Sequence, residues 1–372
     1  MNPIEDVLTK EDGLRLNVLM TQAEAVRIDE RGPAVVALAG DRELRVELHP
    51  QGREDAYLLA VKRLLASLVI GHTGGFPLFI RRWLRGGQLE NLRTADLLKL
   101  GEPEAVLAVA ASPNVDAEAA RLAWWAQPEP GVARALLDNP ALTDGDLRRE
   151  LADWLAEHLP FEQDENAVMA TVRLIAASGL MADAARERLW RRGLQRPACL
   201  VGFLQAAPDD LPEPRPSRPL GGELAKALVA ACADGDPLAQ RLQRALDAPG
   251  QSFLAACDAI LDEPQHREIV SPLLNLLGDW CRAEGDRDAL VAALPGLAAE
   301  IDALRLLGAC EEALCYAVFS RSTASGSLLR DKLREPLQPL RDAIATLLGG
   351  EVVSNAPRRR RRSAATHLPN WG

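Results

Sequence analysis

NPALTDGDLRRELADWLAEHLP, residues 139–160, is the stretch on which the fold turns. Leu147, Leu151, Trp154, Leu155 and Leu159 recur at helical spacing and line one face, while Arg, Asp and Glu fill the other. Thr143 followed by Asp146 is a capping arrangement ahead of that helix, and Pro160 closes it. The opening Asn139-Pro140-Ala141-Leu142-Thr143 has a counterpart in Ser112-Pro113-Asn114-Val115-Asp116, the two prolines lying 27 residues apart. Short helices set off by Asn-Pro or Ser-Pro turns are the pattern of stacked helical hairpins. Two copies do not define a repeat, so the reading is an irregular, repeat-like helical array. Ser271-Pro272 marks another start, an N-cap with Pro at the first helical position, for a helix running to Gly285.

Toward the N-terminus the period changes from helical to two. Val26 and Ile28 alternate with Arg27 and Asp29, and Leu44, Val46 and Leu48 alternate with Arg45 and Glu47. Between them Pro33–Ala39 is a short apolar run, with Gly32-Pro33 and Gly40-Asp41 as turn signals. This predicts a small antiparallel meander. Its apolar face needs a cover, which the next segment supplies: Tyr57, Leu58, Val61, Leu64, Leu65 and Leu68 form a single helical stripe that Gly71 stops. Residues 1–91 therefore read as a small α+β domain and 92–207 as a helical hairpin array. Residues 208–219, PDDLPEPRPSRP, hold five prolines and read as an extended linker. A second helical segment follows at 220–349. Residues 350–372 show no apolar periodicity and read as an Arg-rich disordered tail. The predicted class is mainly α, α+β overall.

With 372 residues, 48% hydrophobic and 26% charged, the chain has the composition of a globular protein able to bury a sizeable core. That excludes a fibre, a disordered chain and a disulfide-stapled miniprotein. The formal charge of −10 is unevenly placed: Arg358, Arg359, Arg360, Arg361 and Arg362 stand without an acid nearby, which leaves −15 on residues 1–357. So acidic a body repels nucleic acid and anionic membrane. The N-terminal MNPIEDVLTKED lacks the basic and apolar regions of a signal peptide, and no apolar run approaches the length of a membrane span. The expected compartment is the cytoplasm, with no membrane insertion.

Chemical motifs are sparse. The five histidines form no HxxxH or HExxH pair, and His266-Arg267-Glu268 lacks the PCxxC that a zinc deaminase requires. No metal and no cofactor is expected. Gly71-His72-Thr73-Gly74-Gly75 lacks the Lys and hydroxyl of a P-loop and follows a helix rather than a strand. No GxSxG elbow is present. Paired acids at Asp144/Asp146, Asp234/Asp236 and Asp286/Asp288 each lie beside a glycine, as helix-capping residues do. No catalytic residue is therefore assigned from the sequence. Two Arg–Trp clusters, Arg81-Arg82-Trp83 with Arg85 and Arg186–Arg196 around Trp190, have the chemistry of single-stranded nucleic-acid sites. In the second, Glu187 can pair with Arg191, and Trp190 is expected to face the core. Arg358–Arg362 is the remaining nucleic-acid candidate. Cys199, Cys232, Cys257, Cys281, Cys310 and Cys315 sit in helical segments without a CxxC and read as buried thiols. Cys199, beside Arg196 and Pro197, is the candidate for an accessible, reactive one.

Several phrases point further: GLRLNVLMTQAEAVRID (13–29), LLKLGEPEAVLAVAASPNV (97–115), ARLAWWAQP (120–128), RRGLQRPACLVGFLQAAPDDLPEP (191–214) and APGQSFL (248–254). Together they resemble the DsrS family, encoded with the dissimilatory sulfite reductase cluster of sulfur-oxidising bacteria. The likeness spans about residues 11–260. It implies a cytoplasmic accessory or regulatory protein of stored-sulfur oxidation, with proteins of that pathway as partners and no catalytic motif to carry over. The alternatives are a persulfide-handling sulfur carrier or thiol enzyme using one of the cysteines, and a weak RNA- or DNA-binding regulator.

Overall fold

The computed structural model describes residues 7–29, 32–70, 94–321 and 325–350. The protein is mainly α, with one small three-stranded antiparallel sheet near its N-terminus. The described residues divide between two compact units: Met1–Gln163 with Ala170–Ala182, and Asp164–Met169 with Asp183–Gly372.

The first unit opens with a helix that the alternating pattern did not announce, α1 (Lys10–Met20), capped by the Thr9 side chain, which accepts from the Asp12 amide. Strands β1 (Ala25–Asp29), β2 (Ala34–Ala39) and β3 (Arg42–Glu47) follow in the order β1-β2-β3. Their register sets Val26 opposite Ala37, Ile28 opposite Val35, and Val35 opposite Val46, so the apolar members of each alternation share a face. That face is covered by α1 and α2 (Glu54–Ile70), with Leu16, Leu19, Val26, Val35, Tyr57, Val61 and Leu65 in one buried cluster. The free edge of β1 is also occupied, because the Val26 amide donates to the Leu98 carbonyl at 2.8 Å. Beside that contact Gly101 has φ +64° and lies so close to Ile28 that a Cβ would stand 3.0 Å from its side chain.

Helices α3 (Pro103–Ala110), α4 (Ala117–Ala126), α5 (Pro130–Asp138) and α6 (Gly145–His158), with the following helix from Ala170 onward, belong to this unit and build a second cluster that includes Val109, Leu136, Leu147, Leu151 and Ile175. The two Pro turns meet: the Asn139 side-chain amide donates to the carbonyls of Ala110 (3.0 Å) and Ser112 (2.8 Å). The cap of α6 is Asp144 rather than Thr143. Its carboxylate accepts from the amides of Asp146 and Leu147, and an ionised acceptor at a helix N-terminus is stronger than a hydroxyl.

After α7 (Glu165–Ala177), the second unit contains α8 (Asp183–Gly193), α9 (Pro197–Ala206), α10 (Gly222–Ala233), α11 (Pro237–Leu246), α12 (Ala248–Asp262), α13 (Arg267–Cys281), α14 (Arg287–Ala293), α15 (Ala298–Gly308) and α16 (Gly326–Leu347). Helix α13 starts at Arg267 and ends at Cys281, so Ser271-Pro272 is not its beginning and Gly285 is not its end. Pro272 removes one backbone bond near the exposed first turn, and the buried stripe Ile269, Val270, Leu273, Leu274 and Leu277 holds the helix through it. Leu329, Leu333, Leu337, Leu340, Ile344 and Leu347 form the buried stripe of α16. Residues 208–219 contain no helix and are tied to the second unit. The Arg215 amide donates to Ser252 Oγ at 2.7 Å and the Arg218 amide to the Leu246 carbonyl at 2.8 Å.

Candidate functional site

The thiols come first, because a carrier or thiol enzyme needs one that is both accessible and ionisable. Cys199 is neither, which corrects the expectation placed on it. It is the third residue of α9, a helix buried all round its circumference from Ala198 to Leu204, and has no exposed surface. Burial pushes its thiol up to about 11; the positive charges of Arg196 and Arg192 oppose the rise, and Glu165 adds to it. The Arg196 guanidinium is also engaged, with Nε and Nη2 each 3.2 Å from the Glu165 carboxylate. Flanking cations in the sequence therefore do not report exposure at this position.

Four of the other five thiols, Cys257, Cys281, Cys310 and Cys315, are likewise buried. Burial pushes Cys310 and Cys315 up to about 11 and raises Cys257 and Cys281 as well, and the Cys310 thiol donates to the Leu274 carbonyl at 3.1 Å. Cys232 is half-buried, and its thiol is raised by burial first and by Asp236 and Asp247 second. All six are free cysteines. A thiol near 11 is a thiolate in about one molecule in ten thousand at neutral pH.

The remaining sequence candidates resolve into structural roles or fall outside the described residues. Asp144, Asp236 and Asp286 cap α6, α11 and α14 through backbone amides. In the Arg186–Arg196 cluster, Arg191 pairs with Glu187 at 3.0 Å, Arg186 with Asp210 at 2.9 Å, and Trp190 is buried edge-on against Phe203. His266 precedes the first turn of α13. Gly71–Gly75, Arg81, Arg82, Trp83, Arg85 and Arg358–Arg362 lie outside the described residues. Among the described residues no group of three or more His, Cys, Asp or Glu could hold a metal ion, and no helix is long and apolar enough to cross a membrane.

Two arrangements emerge that sequence spacing did not announce. The first centres on Asp12, a carboxylate with no exposed surface. Tyr57 donates its hydroxyl to Oδ2 at 2.5 Å, the His49 amide donates to Oδ2 at 2.8 Å, and His49 Nδ1 lies 3.1 Å from Oδ1. Burial alone raises the Asp12 carboxyl, but the hydrogen bonds from Tyr57 and His49 outweigh it and hold the group below its ordinary value. Tyr57 moves the opposite way, raised by burial and by its bond to Asp12. An ionised Asp12 requires the hydrogen on His49 Nδ1, so a neutral ring turns Nε2 outward as an acceptor from a side chain that is 62% exposed. The cluster joins the start of α1, the segment after β3 and α2.

The second arrangement is a run of rings leading from the core of the first unit to its surface. Buried Trp124 meets Trp154 edge-on at 5.1 Å, His158 stacks on Trp154 at 3.6 Å, and Phe161 lies 6.4 Å beyond. Phe161 is 79% exposed. His158 Nδ1 lies 2.8 Å from the Trp154 backbone carbonyl and Trp124 Nε1 donates to Glu150 at 2.8 Å, so the His158 and Trp124 rings are held by hydrogen bonds and Trp154 is packed between them. The helix-period pattern already placed Trp154 on the apolar face of α6. The stack needed the contacts.

In comparisons with known proteins, no family model, no curated protein and no solved structure matches this chain.

Proposed function

We propose that the protein is a non-enzymatic accessory protein of cytoplasmic sulfur oxidation through the reverse dissimilatory sulfite reductase pathway, acting by contact with proteins of that pathway. The phrases resembling the DsrS family support the pathway. The observation that carries action by contact is the ring stack ending on Phe161: an exposed aromatic backed by fixed aromatics is the kind of anchor that dominates protein interfaces, offering apolar area with little conformational entropy to lose. Five buried thiols, and a half-buried Cys232 whose thiol is raised by burial and by two nearby carboxylates, weigh against the sulfur-carrier alternative.

Affinity-tagged protein recovered from cells oxidising stored sulfur is expected to bring down subunits of the sulfite reductase, and Phe161→Ser to lose them while keeping its melting curve. Recovery without any sulfur-oxidation protein overturns the pathway, and undiminished recovery with Phe161→Ser overturns the surface. For the carrier alternative, the native protein is incubated with polysulfide and its cysteines are mapped by mass spectrometry. No one-sulfur adduct is expected at Cys199; an adduct there that Cys199→Ser abolishes would establish the carrier instead.

A further inference from the structure

The end of α12 and residues 330–341 of α16 line an open pocket of about 270 Å³ whose two walls carry opposite charge. Its floor is apolar: Leu261, Pro264 and Leu337 line it and are buried. On the α16 side stand Arg330 and Arg334, one helical turn apart, and on the α12 side Asp262 and Glu263. The pairing among these groups is unequal. Arg341 at the inner end is held by two carboxylates, Asp258 at 3.0 Å and Asp262 at 2.9 Å. Arg330 reaches Glu263 only at 3.5 Å, and Arg334 reaches Asp331 of its own helix at 3.4 Å while 73% exposed. Exposed pairs of this length contribute little and yield to a better partner at small cost. Each guanidinium has five N–H donors in a planar fork suited to a carboxylate.

We infer that this pocket binds a free α-amino acid with an aliphatic side chain, its carboxylate on Arg330 and Arg334, its ammonium on Glu263 and Asp262, and its side chain on the Leu261–Pro264–Leu337 floor. A simple anion would meet the carboxylates of the α12 wall and a simple cation the guanidiniums of the α16 wall. A zwitterion complements both walls at once and brings no net charge to an acidic protein. The volume lies just below the usual range of about 300–1,000 Å³ for ligand pockets, which limits the occupant to a small molecule.

The test is calorimetric titration of the full chain with L-leucine, 4-methylpentanoate, isopentylamine and glycine at one ionic strength. Saturable binding of leucine is expected, with 4-methylpentanoate, isopentylamine and glycine each at least about tenfold weaker, since each lacks one of the three contacts. Arg334→Gln and Arg330→Gln should each weaken leucine about tenfold, whereas Arg149→Gln, on an exposed face of the other unit, should leave it unchanged. Absence of saturable leucine binding, 4-methylpentanoate or isopentylamine binding as tightly as leucine, or full affinity in the Arg330→Gln, Arg334→Gln double variant with an unaltered melting curve would each overturn the assignment.

Discussion

Asp12 shows how much can depend on one side chain whose partners are far away in sequence. Its carboxyl is held below its ordinary value in the folded protein, so ionisation of Asp12 favours folding. That contribution is fully present above about pH 4, the ordinary carboxylate value, and is lost as pH falls through the lower folded value. In urea titrations the wild-type midpoint should therefore drop below about pH 4, and Asp12→Asn, which cannot titrate, should show a smaller drop from a lower starting point. At pH 7 Tyr57→Phe should cost about 1–3 kcal/mol, because it removes the donor from a carboxylate oxygen that stays buried. A Tyr57→Phe midpoint equal to wild type would show that the short Tyr57–Asp12 bond contributes nothing. The sequence did not make this cluster legible, because α1 itself, capped by Thr9, was not read from the pattern. His49 and Tyr57 lie 37 and 45 residues further on, beyond any local pattern. Cys199 failed for a related reason, since Arg196 before it belongs to the turn ahead of α9 and not to the sealed helix in which the thiol sits.

At the scale of elements, legibility followed the pattern of burial. β1, β3 and α2 could be read from repeats at two or at about 3.6 residues, and β2, buried at Ala34, Val35, Val36 and Ala37 alike, from an unbroken apolar run between turn signals. Helix α1 is weaker: Gly13 interrupts it, and Leu14 and Val18 face outward at 67% and 56% exposure, so its apolar residues describe no single stripe. The Pro-rich segment was legible as helix-free, but its anchoring was not, because Arg218 joins elements distant in sequence. Its Nη1 donates to the Thr346 carbonyl at 2.6 Å, closing the C-terminal end of α16, and its Nη2 to Glu300 of α15 at 2.6 Å. The side chains of this pair are only 20% and 9% exposed. Arg218→Ala would leave a buried carboxylate without its cation and an uncapped helix end. A loss of about 3–5 kcal/mol is expected in equilibrium denaturation. Removing both charges (Arg218→Ala with Glu300→Ala) should cost less than the sum of the single changes, since neither remaining group is then stranded. Lys226→Ala, which breaks an exposed pair with Glu223, should change nothing measurable. Additive losses at Arg218 and Glu300 would mean that the two side chains stabilise the unit independently.

For the whole molecule the governing quantity is charge. The overall −10 coexists with a cationic run at Arg358–Arg362, and the arginines of the described body are widely paired with acids: Arg287 with Asp302, Arg244 with Asp209, Arg341 with Asp258. Cations already neutralised by carboxylates release few counterions when a polyanion approaches, whereas Arg358–Arg362 is a cationic run with no acid near it in the sequence. Five guanidiniums contacting five phosphates of a single strand would give a log–log salt slope of about −3.5, opposed throughout by the acidic body. Binding of labelled single-stranded RNA to the full chain should therefore be weak at physiological salt, with a dissociation constant of about 10⁻⁴ M or higher, and should weaken steeply as salt rises. Removing residues 357–372 should abolish it. Fluorescence anisotropy across a salt series measures both quantities. Micromolar binding at physiological salt that survives the truncation would contradict this charge argument and move the site to Arg81, Arg82 and Arg85, where an aromatic at Trp83 could stack on a base as the arginines hold its phosphates.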